Sequence, residues 1–143
     1  ACGLGARDIL RTEMGYPLHG HEISLSISPI EASASWAVAF DKADFTGKEV
    51  LKNQKQNGTK LKLKAILATD RAIPRKDMQV KNASGEIVGF VTSGTFSPSL
   101  KKGIALALID PVFAIGDSVV IDVRGRDCVC EVVALPMVES HVR

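Results

Sequence analysis

The sequence predicts an α+β fold in which a mixed helical segment, residues 1–58, precedes a small antiparallel β-barrel, residues 59–143. Two observations support this prediction. Helix patterns and helix-ending glycines are confined to the first 58 residues. After Gly58, short apolar stretches alternate with turn sequences at nearly regular spacing and no helix pattern follows, which is typical of a small closed or nearly closed barrel.

The helical segment opens with an apolar helix pattern. Apolar residues between Leu4 and Met14 share one face of a helix over about residues 6–14. Gly15 and Pro17 follow directly and end the pattern. The sequence therefore predicts one short helix at the start of the chain.

The rest of this segment contains two capping patterns and one apolar run. A capping box at residues 28–31 predicts a helix start, and the apolar run 36–40 predicts a buried strand. A second capping box at residues 46–49 predicts another helix, which Asn57 and Gly58 end. Together these elements predict mixed α and β structure before the barrel.

Six strands are predicted in the barrel half, two of its loops being hairpin turns. The strands are expected at about residues 61–67, 80–81, 86–91, 104–109, 118–123 and 128–135. Residues 82–85 and 124–127 read as the hairpin loops. This spacing is the main support for the predicted barrel.

Composition limits the function classes. Hydrophobic residues make up 45% and charged residues 24% of the chain, which favours a folded globular protein over disorder. The net charge of +2 is small and the basic residues are scattered, so we expect no nucleic-acid partner. No run of about 18 apolar residues occurs, so we expect no membrane span and a cytoplasmic location.

The cysteines and histidines predict no metal site. Cys2, Cys128 and Cys130 match neither a disulfide framework nor a zinc spacing, so we expect small buried thiols in a reducing compartment. His19 and His21 lie two residues apart with no third ligand in view, which is more typical of loop packing than of metal binding.

Glu13 is a carboxylate near the end of the first predicted helix. It can be a solvated helical residue, or an ion-pair partner of Arg11 or Lys42. It can also accept hydrogen bonds from the planar donor–donor edge of a heterocycle. The residues alone leave these interpretations open.

Residues 92–102 are rich in hydroxyl groups, Gly and Lys, but they lack the glycine–lysine spacing of a phosphate-binding loop. A structural connection between strands is therefore the favoured interpretation. Arg75 has no decisive context, and no Ser/His/Asp or Cys/His catalytic pattern is present.

Five segments, taken in order along the chain, carry a family resemblance. Residues 3–15 read GLGARDILRTEMG, close to a GLGARDxLRxEAG signature, and residues 18–22, 28–32 and 44–47 resemble the motifs that follow it. The most specific segment, residues 91–102, reads VTSGTFSPSLKK and is close to VTSGxxSPxLKK. In these motifs the chain resembles the glycine cleavage T proteins, the folate-dependent aminomethyltransferases, over essentially its whole length.

The resemblance implies a reaction, partners and a fold. In this family a lipoylated H protein presents an aminomethyl group left by glycine decarboxylation. The T protein releases ammonia and transfers the one-carbon unit to its co-substrate, tetrahydrofolate. The family fold has three domains around a central folate hole, the last being a β-barrel. Residues 1–58 would then be the C-terminal part of the folate-binding α/β domain.

The resemblance also implies site residues. Glu13 falls on the family's pterin-binding Glu, and Lys42 lies about where the family has a folate-contacting Arg. His19 replaces a Tyr, and tyrosines often present near the family's C-terminus are absent. The family's catalytic Asp lies upstream of the GLGARD motif, so we expect no catalytic residue here. We expect this chain to be the C-terminal portion of a longer enzyme, inactive alone and able to self-associate.

Two alternatives remain open. One is a related folate-binding protein, such as a demethylase, a folate domain of sarcosine-type dehydrogenases or a tRNA-modification factor. The other is a non-catalytic barrel that binds RNA or a protein. An RNA surface needs clustered Arg and exposed aromatic residues, and the barrel half has only Phe90, Phe96 and Phe113. The combination of motifs favours the T protein.

Overall fold

The structure, a computed structural model that describes residues 2–140, confirms the α+β fold with a closed antiparallel barrel. The strands follow the order β1-β4-β3-β2-β5-β6 around the barrel. In chain order the elements are α1 (Leu4–Met14), a 3₁₀ helix (Ser35–Ala37), α2 (Lys48–Asn57), β1 (Lys62–Ala68), β2 (Gln79–Lys81), β3 (Ile87–Ser97), β4 (Lys102–Ile109), β5 (Ser118–Asp122) and β6 (Asp127–Val133). The domain boundary at residue 58 stays a prediction.

The barrel interior is filled by apolar side chains from all six strands. Each strand pairs with two neighbours, so the barrel has no open edge. Side chains alternate between the two faces of a strand, and the inward set is fully buried. One residue from each strand, β1 to β6, illustrates this core: Ile66, Val80, Val91, Ala107, Ile121 and Cys130.

A second apolar cluster lies on the outer surface of the barrel, on β1 and β4. Ile27 from the N-terminal segment and Met137 from the C-terminal segment pack against it. Its buried members are Leu63, Ala65, Leu106 and Leu108. The residues that alternate with Lys in β1 therefore lie under the two terminal segments and not inside the barrel.

The helix α1 is confirmed, but its predicted apolar face is not the face that packs on the barrel. Arg11, Thr12 and Glu13 are buried, and the helix contacts β3 and β4. Leu4 is 82% exposed and Leu10 is 59% exposed. Polar side chains therefore attach α1 to the barrel.

The predicted helix at residues 28–31 is wrong beyond a single turn. The capping box does form, because Ser28 N donates to Glu31 Oε2 at 2.8 Å and Glu31 N donates to Ser28 Oγ at 3.2 Å. Ser33 then adopts a φ of 56°, which a continuing helix cannot accommodate. The capping residues thus stabilise a turn.

The predicted strand at residues 36–40 is also wrong. The chain forms a 3₁₀ helix there, and Trp36 is 85% exposed. A strand needs a partner with free backbone groups, and the closed barrel offers none. The helix after residue 46 is confirmed as α2, although Gly47 takes the N-cap position that the sequence assigned to Thr46.

Candidate functional site

A cleft of about 630 Å³ lies where α1, the β3–β4 turn and the C-terminal segment meet. Two backbone contacts fix its walls. Gly15, with a φ of 76°, ends α1, and its N–H donates to Thr12 O at 3.1 Å. Met137 N donates to Glu13 O at 2.8 Å and so ties the C-terminal segment to the helix. The lining residues are Leu10, Glu13, Met14, Ser99, Leu100, Met137, Val138, Glu139 and Ser140.

Glu13 lines this cleft as a nearly buried carboxylate with 2% exposure. Ser97 Oγ donates to Glu13 Oε1, and Leu100 N donates to Ser97 Oγ at 3.0 Å, which orients the hydroxyl. Within residues 2–140, Ser97 is the one side chain that donates to this carboxylate. An ionised carboxylate has about four acceptor positions, so Glu13 keeps capacity for further donors.

A buried polar network lies on the same side of the barrel. The Arg11 guanidinium donates to Glu22 Oε2 at 2.9 Å and to Ser93 Oγ at 2.8 Å. Ser93 Oγ donates to Glu22 Oε1 at 2.6 Å. Asp8, which is more exposed, accepts from Arg11 Nε at 2.8 Å. Glu22 Oε2 also accepts from Leu18 N at 3.0 Å. Because Glu22 is fully buried, losing Arg11 or Ser93 would leave its charge with fewer hydrogen bonds in the interior.

A β-bulge in β3 aims Ser93 at this network. The register of β3 against β4 shifts between Val91 and Ser93, so Thr92 is an extra residue. Without the shift, Ser93 would share the inward face of Val91. With it, Ser93 and Ser97 lie on the face that contacts α1. The bulge thereby supplies both hydroxyl groups that hold the carboxylates of the N-terminal segment.

His21 contributes to packing in this region. Its Nδ1 lies 3.0 Å from Thr92 O and 3.1 Å from Ser93 Oγ. In the part of the chain that the structure describes, no group of three or more His, Cys, Asp or Glu side chains could hold a metal ion. No helix in that part is both long and apolar enough to cross a bilayer.

Two buried thiols lie apart from the cleft, in β6. Cys128 Sγ and Cys130 Sγ are 3.6 Å apart, and the Cys128 thiol donates to Asp70 Oδ1 at 3.1 Å. Burial raises the pKa of Cys130 to about 11. Burial, together with the hydrogen bond to the Asp70 carboxylate, raises the pKa of Cys128 well above its ordinary value. Both thiols therefore stay protonated at neutral pH and are poor nucleophiles.

Comparison with known families assigns both halves of the chain. The model of the glycine cleavage T-protein C-terminal barrel domain matches residues 62–139. The model of the T-protein N-terminal domain matches residues 1–42. The chain belongs to the glycine cleavage T-protein family. This confirms the resemblance drawn from the motifs.

Individual relatives agree with the family assignment. An aminomethyltransferase of Parafrankia sp. is 51% identical over 142 residues, and one of Mycobacterium leprae is 47% identical over 144 residues. Each match covers 99% of this chain and 39% of the relative. The crystal structure of an aminomethyltransferase from Bartonella henselae superposes with a TM-score of 0.88 at 32% identity, covering 95% of this chain and 39% of that one. The chain thus spans about two fifths of the length of these T proteins.

The structure places the two predicted folate contacts differently. Glu13 lies in the cleft, whereas Lys42 is exposed in the loop before α2. The Lys42 carbonyl accepts a hydrogen bond from the ammonium group of Lys48. No contact joins Lys42 to Glu13 in the described part of the chain. Both residues remain predicted folate contacts of this T-protein chain.

Sequence reasoning missed the residues that support the cleft. The sequence favours a plain connection at residues 92–102, yet Ser93 and Ser97 bind the two buried carboxylates of the N-terminal segment. The sequence allows Arg11 as a partner for Glu13, but Arg11 pairs with Asp8 and Glu22 instead. One signal is present: four of the 11 residues of α1 are charged, namely Arg7, Asp8, Arg11 and Glu13.

Proposed function

We propose that the protein containing this chain is an aminomethyltransferase of glycine cleavage. It transfers a one-carbon unit from the aminomethyl-lipoyl group of an H protein to tetrahydrofolate, with release of ammonia. The family assignment and the aminomethyltransferase relatives support this proposal. The structural observation that carries it is the Glu13 carboxylate, held in a cleft by one hydroxyl group and left with free acceptor positions.

Glu13 would bind the pterin edge of the folate. The 2-amino group and the neighbouring ring N–H form a planar pair of donors that a carboxylate can accept together. Ser97 fixes the orientation of the Glu13 carboxylate. The low exposure of Glu13 strengthens the hydrogen bonds that its carboxylate accepts. Leu10, Met14 and Leu100 give this cleft apolar walls suited to a flat ring. Tetrahydrofolate would accept the one-carbon unit, and these residues would hold and orient it.

Lys42 would contribute charge to the same substrate. Its ammonium group can attract the carboxylate-bearing tail of the folate. It lacks the planar fork of the Arg found in the family, so it would act as a point charge. Because Lys42 is exposed, solvent and salt screen this contribution. We therefore propose a smaller role for Lys42 than for Glu13.

The chemical step is assigned to no residue of this chain. The resemblance implies a catalytic Asp upstream of the GLGARD motif, and the relatives are longer than this chain, which covers 39% of the Parafrankia protein. We therefore propose that this chain supplies part of the folate site and the barrel, and that it does not transfer the aminomethyl group alone. The free cysteines suit a reducing compartment, and we propose the cytoplasm.

The test is an assay of the full-length gene product with aminomethylated H protein and tetrahydrofolate. We expect folate-dependent ammonia release, and a loss of about 100-fold in kcat/KM for Glu13→Ala, because two hydrogen bonds to a charged group are removed. Ser97→Ala, which leaves the carboxylate in place, should cost only about fivefold. A product that ignores H protein would contradict the function. Normal activity of Glu13→Ala would contradict the proposed folate contact but not the proposed aminomethyltransferase function.

A further inference from the structure

Two adjoining clefts lie at one end of the barrel, between the β1–β2 loop and the β5–β6 hairpin. Their volumes are about 550 and 300 Å³, and they share four lining residues, Arg71, Ala72, Val123 and Arg124. No residue lines both these clefts and the cleft that contains Glu13. This end of the barrel is therefore separate from the proposed folate contact.

Four arginines converge on these clefts from segments about 50 residues apart. Arg71 and Arg75 come from the β1–β2 loop, and Arg124 and Arg126 come from the hairpin. Within residues 2–140 the basic residues that form ion pairs are Arg11 and Lys81, so none of the four forms an ion pair there. Of these four, Arg75 alone makes a side-chain hydrogen bond within the described residues, to Gly94 O at 3.2 Å. We call this group, with Asp70, the arginine cleft.

The hairpin that carries two of the arginines has a defined backbone. Arg124 and Gly125 both have positive φ, 58° and 79°, as in the tight turns that match the twist of paired strands. Gly125 N donates to Asp122 Oδ1 at 2.7 Å, and Val123 N donates to Arg126 O at 2.9 Å. The backbone thus sets where the two guanidinium groups emerge.

A single fixed carboxylate faces the arginines. Asp70 Oδ1 accepts from Ala72 N at 2.8 Å and from the Cys128 thiol at 3.1 Å. The hydrogen bonds from Ala72 N and from the Cys128 thiol, with a smaller effect of the nearby Arg126, lower the pKa of Asp70. Both of these donors use the same oxygen, so the other oxygen of Asp70 is available to a donor from a ligand.

We propose that the arginine cleft binds a small phosphomonoester that also carries a hydroxyl group. Four guanidinium groups and one carboxylate leave a net charge of +3, which a phosphate dianion offsets better than a single carboxylate does. Arginine forks match phosphate oxygens in bidentate fashion. The Asp70 carboxylate would repel a bare phosphate but would accept a hydroxyl hydrogen bond from the same molecule. The cleft volumes lie in the range of small-molecule sites.

Calorimetric titration of the full-length gene product at about 0.15 M salt tests this, with ribose 5-phosphate, inorganic phosphate and ribose as probes. We expect ribose 5-phosphate to bind about fivefold more tightly than inorganic phosphate, and ribose not to bind. Arg126→Gln should weaken the binding of ribose 5-phosphate about tenfold or more. Arg7→Gln removes an equal charge on α1, outside the cleft, and should change the affinity less than about twofold. Asp70→Asn should strengthen the binding of inorganic phosphate and abolish the preference for ribose 5-phosphate over inorganic phosphate.

Arginine modification gives a second measurement that needs no variant. Ribose 5-phosphate should protect Arg71, Arg124 and Arg126 from phenylglyoxal while leaving Arg7 reactive. If Arg7→Gln weakened binding as much as Arg126→Gln, or if all arginines were protected equally, the binding would reflect the overall positive charge of the protein. Either result would overturn the proposal. A phosphoserine peptide that binds more tightly than free phosphoserine would overturn the choice of a small molecule. Absence of binding by both phosphate probes would overturn the site itself.

Discussion

The contacts that stabilise the barrel differ in kind from those that hold the N-terminal segment of this chain in place. The barrel encloses an apolar core in which side chains from all six strands are fully buried. In the N-terminal segment, residues 2–58, the buried residues are mainly polar, while large apolar side chains such as Leu4, Leu25 and Trp36 are exposed. The segment attaches to the barrel through the carboxylates of Glu13 and Glu22 and through Ile27, which packs on the outer apolar cluster.

This difference indicates which region determines which property. Apolar burial is non-directional and accounts for most of the stability of the barrel. Buried hydrogen-bonded charges contribute less net stability but strongly penalise any other arrangement. The barrel would therefore set the overall stability, and the polar contacts would set where α1 and its Glu13 lie. Two substitutions separate these roles, and a change of pH tests the barrel by itself.

Removing apolar volume inside the barrel should have the largest effect. Ile66→Ala deletes a fully buried side chain and leaves a cavity, so we expect the free energy of unfolding to fall by about 3 kcal/mol. Leu10→Ala, at a position that is 59% exposed, should change it by less than about 0.5 kcal/mol. Urea unfolding followed by circular dichroism measures both. Equal losses would show that the N-terminal segment shares the barrel's core.

Neutralising the buried network should have a smaller and local effect. Glu22→Gln keeps the shape of the side chain but removes the charge that faces Arg11. We therefore expect the free energy of local unfolding of α1 to fall by about 2 kcal/mol. Hydrogen exchange should become faster in α1 and stay unchanged in β1, β4 and β6. Asp8→Asn, at the more exposed end of the network, should have less effect. Faster exchange throughout the barrel would contradict the division between the two regions.

Alkaline pH should destabilise the barrel gradually through its two thiols. In the folded chain the pKa of Cys130 is raised to about 11, above the ordinary thiol value of about 8.5. The unfolded chain therefore loses its thiol protons first, and stability falls as pH rises from about 9 towards 11, by about 1.4 kcal/mol per pH unit for each thiol. The free energy of unfolding of the C128A/C130A variant should fall less steeply with pH over this range. Equal slopes would mean that the thiols do not contribute.

The barrel was largely predictable because its signals are local. Period-two alternation in residues 61–67 and the turn sequences at 82–85 and 124–127 specify strands and hairpins without knowledge of the tertiary fold. The apolar run at 104–109 became β4, which is buried along nearly its whole length. Strand pairing then closes the barrel, and no other region of the sequence is needed to explain it.

The N-terminal segment was predicted less well because its structure depends on distant partners. The apolar run 36–40 has strand composition but no strand to pair with. Glu13 was recognised through its motif, while its Ser97 partner lies 84 residues away in sequence. Ser93 meets Glu22 only because of the bulge at Thr92, which no local pattern indicates. Contacts of this kind follow from the closed barrel and cannot be derived before it.

The most direct test of the proposed role of this chain is the affinity of the full-length gene product for tetrahydrofolate, measured by calorimetry for wild type and Glu13→Gln. The amide keeps the size of the carboxylate and an acceptor for Ser97, but it turns a donor towards the pterin. We predict binding at least about tenfold weaker for Glu13→Gln and unchanged for Glu131→Gln, an exposed control in β6. Unchanged affinity for Glu13→Gln would contradict the assignment of this cleft to folate.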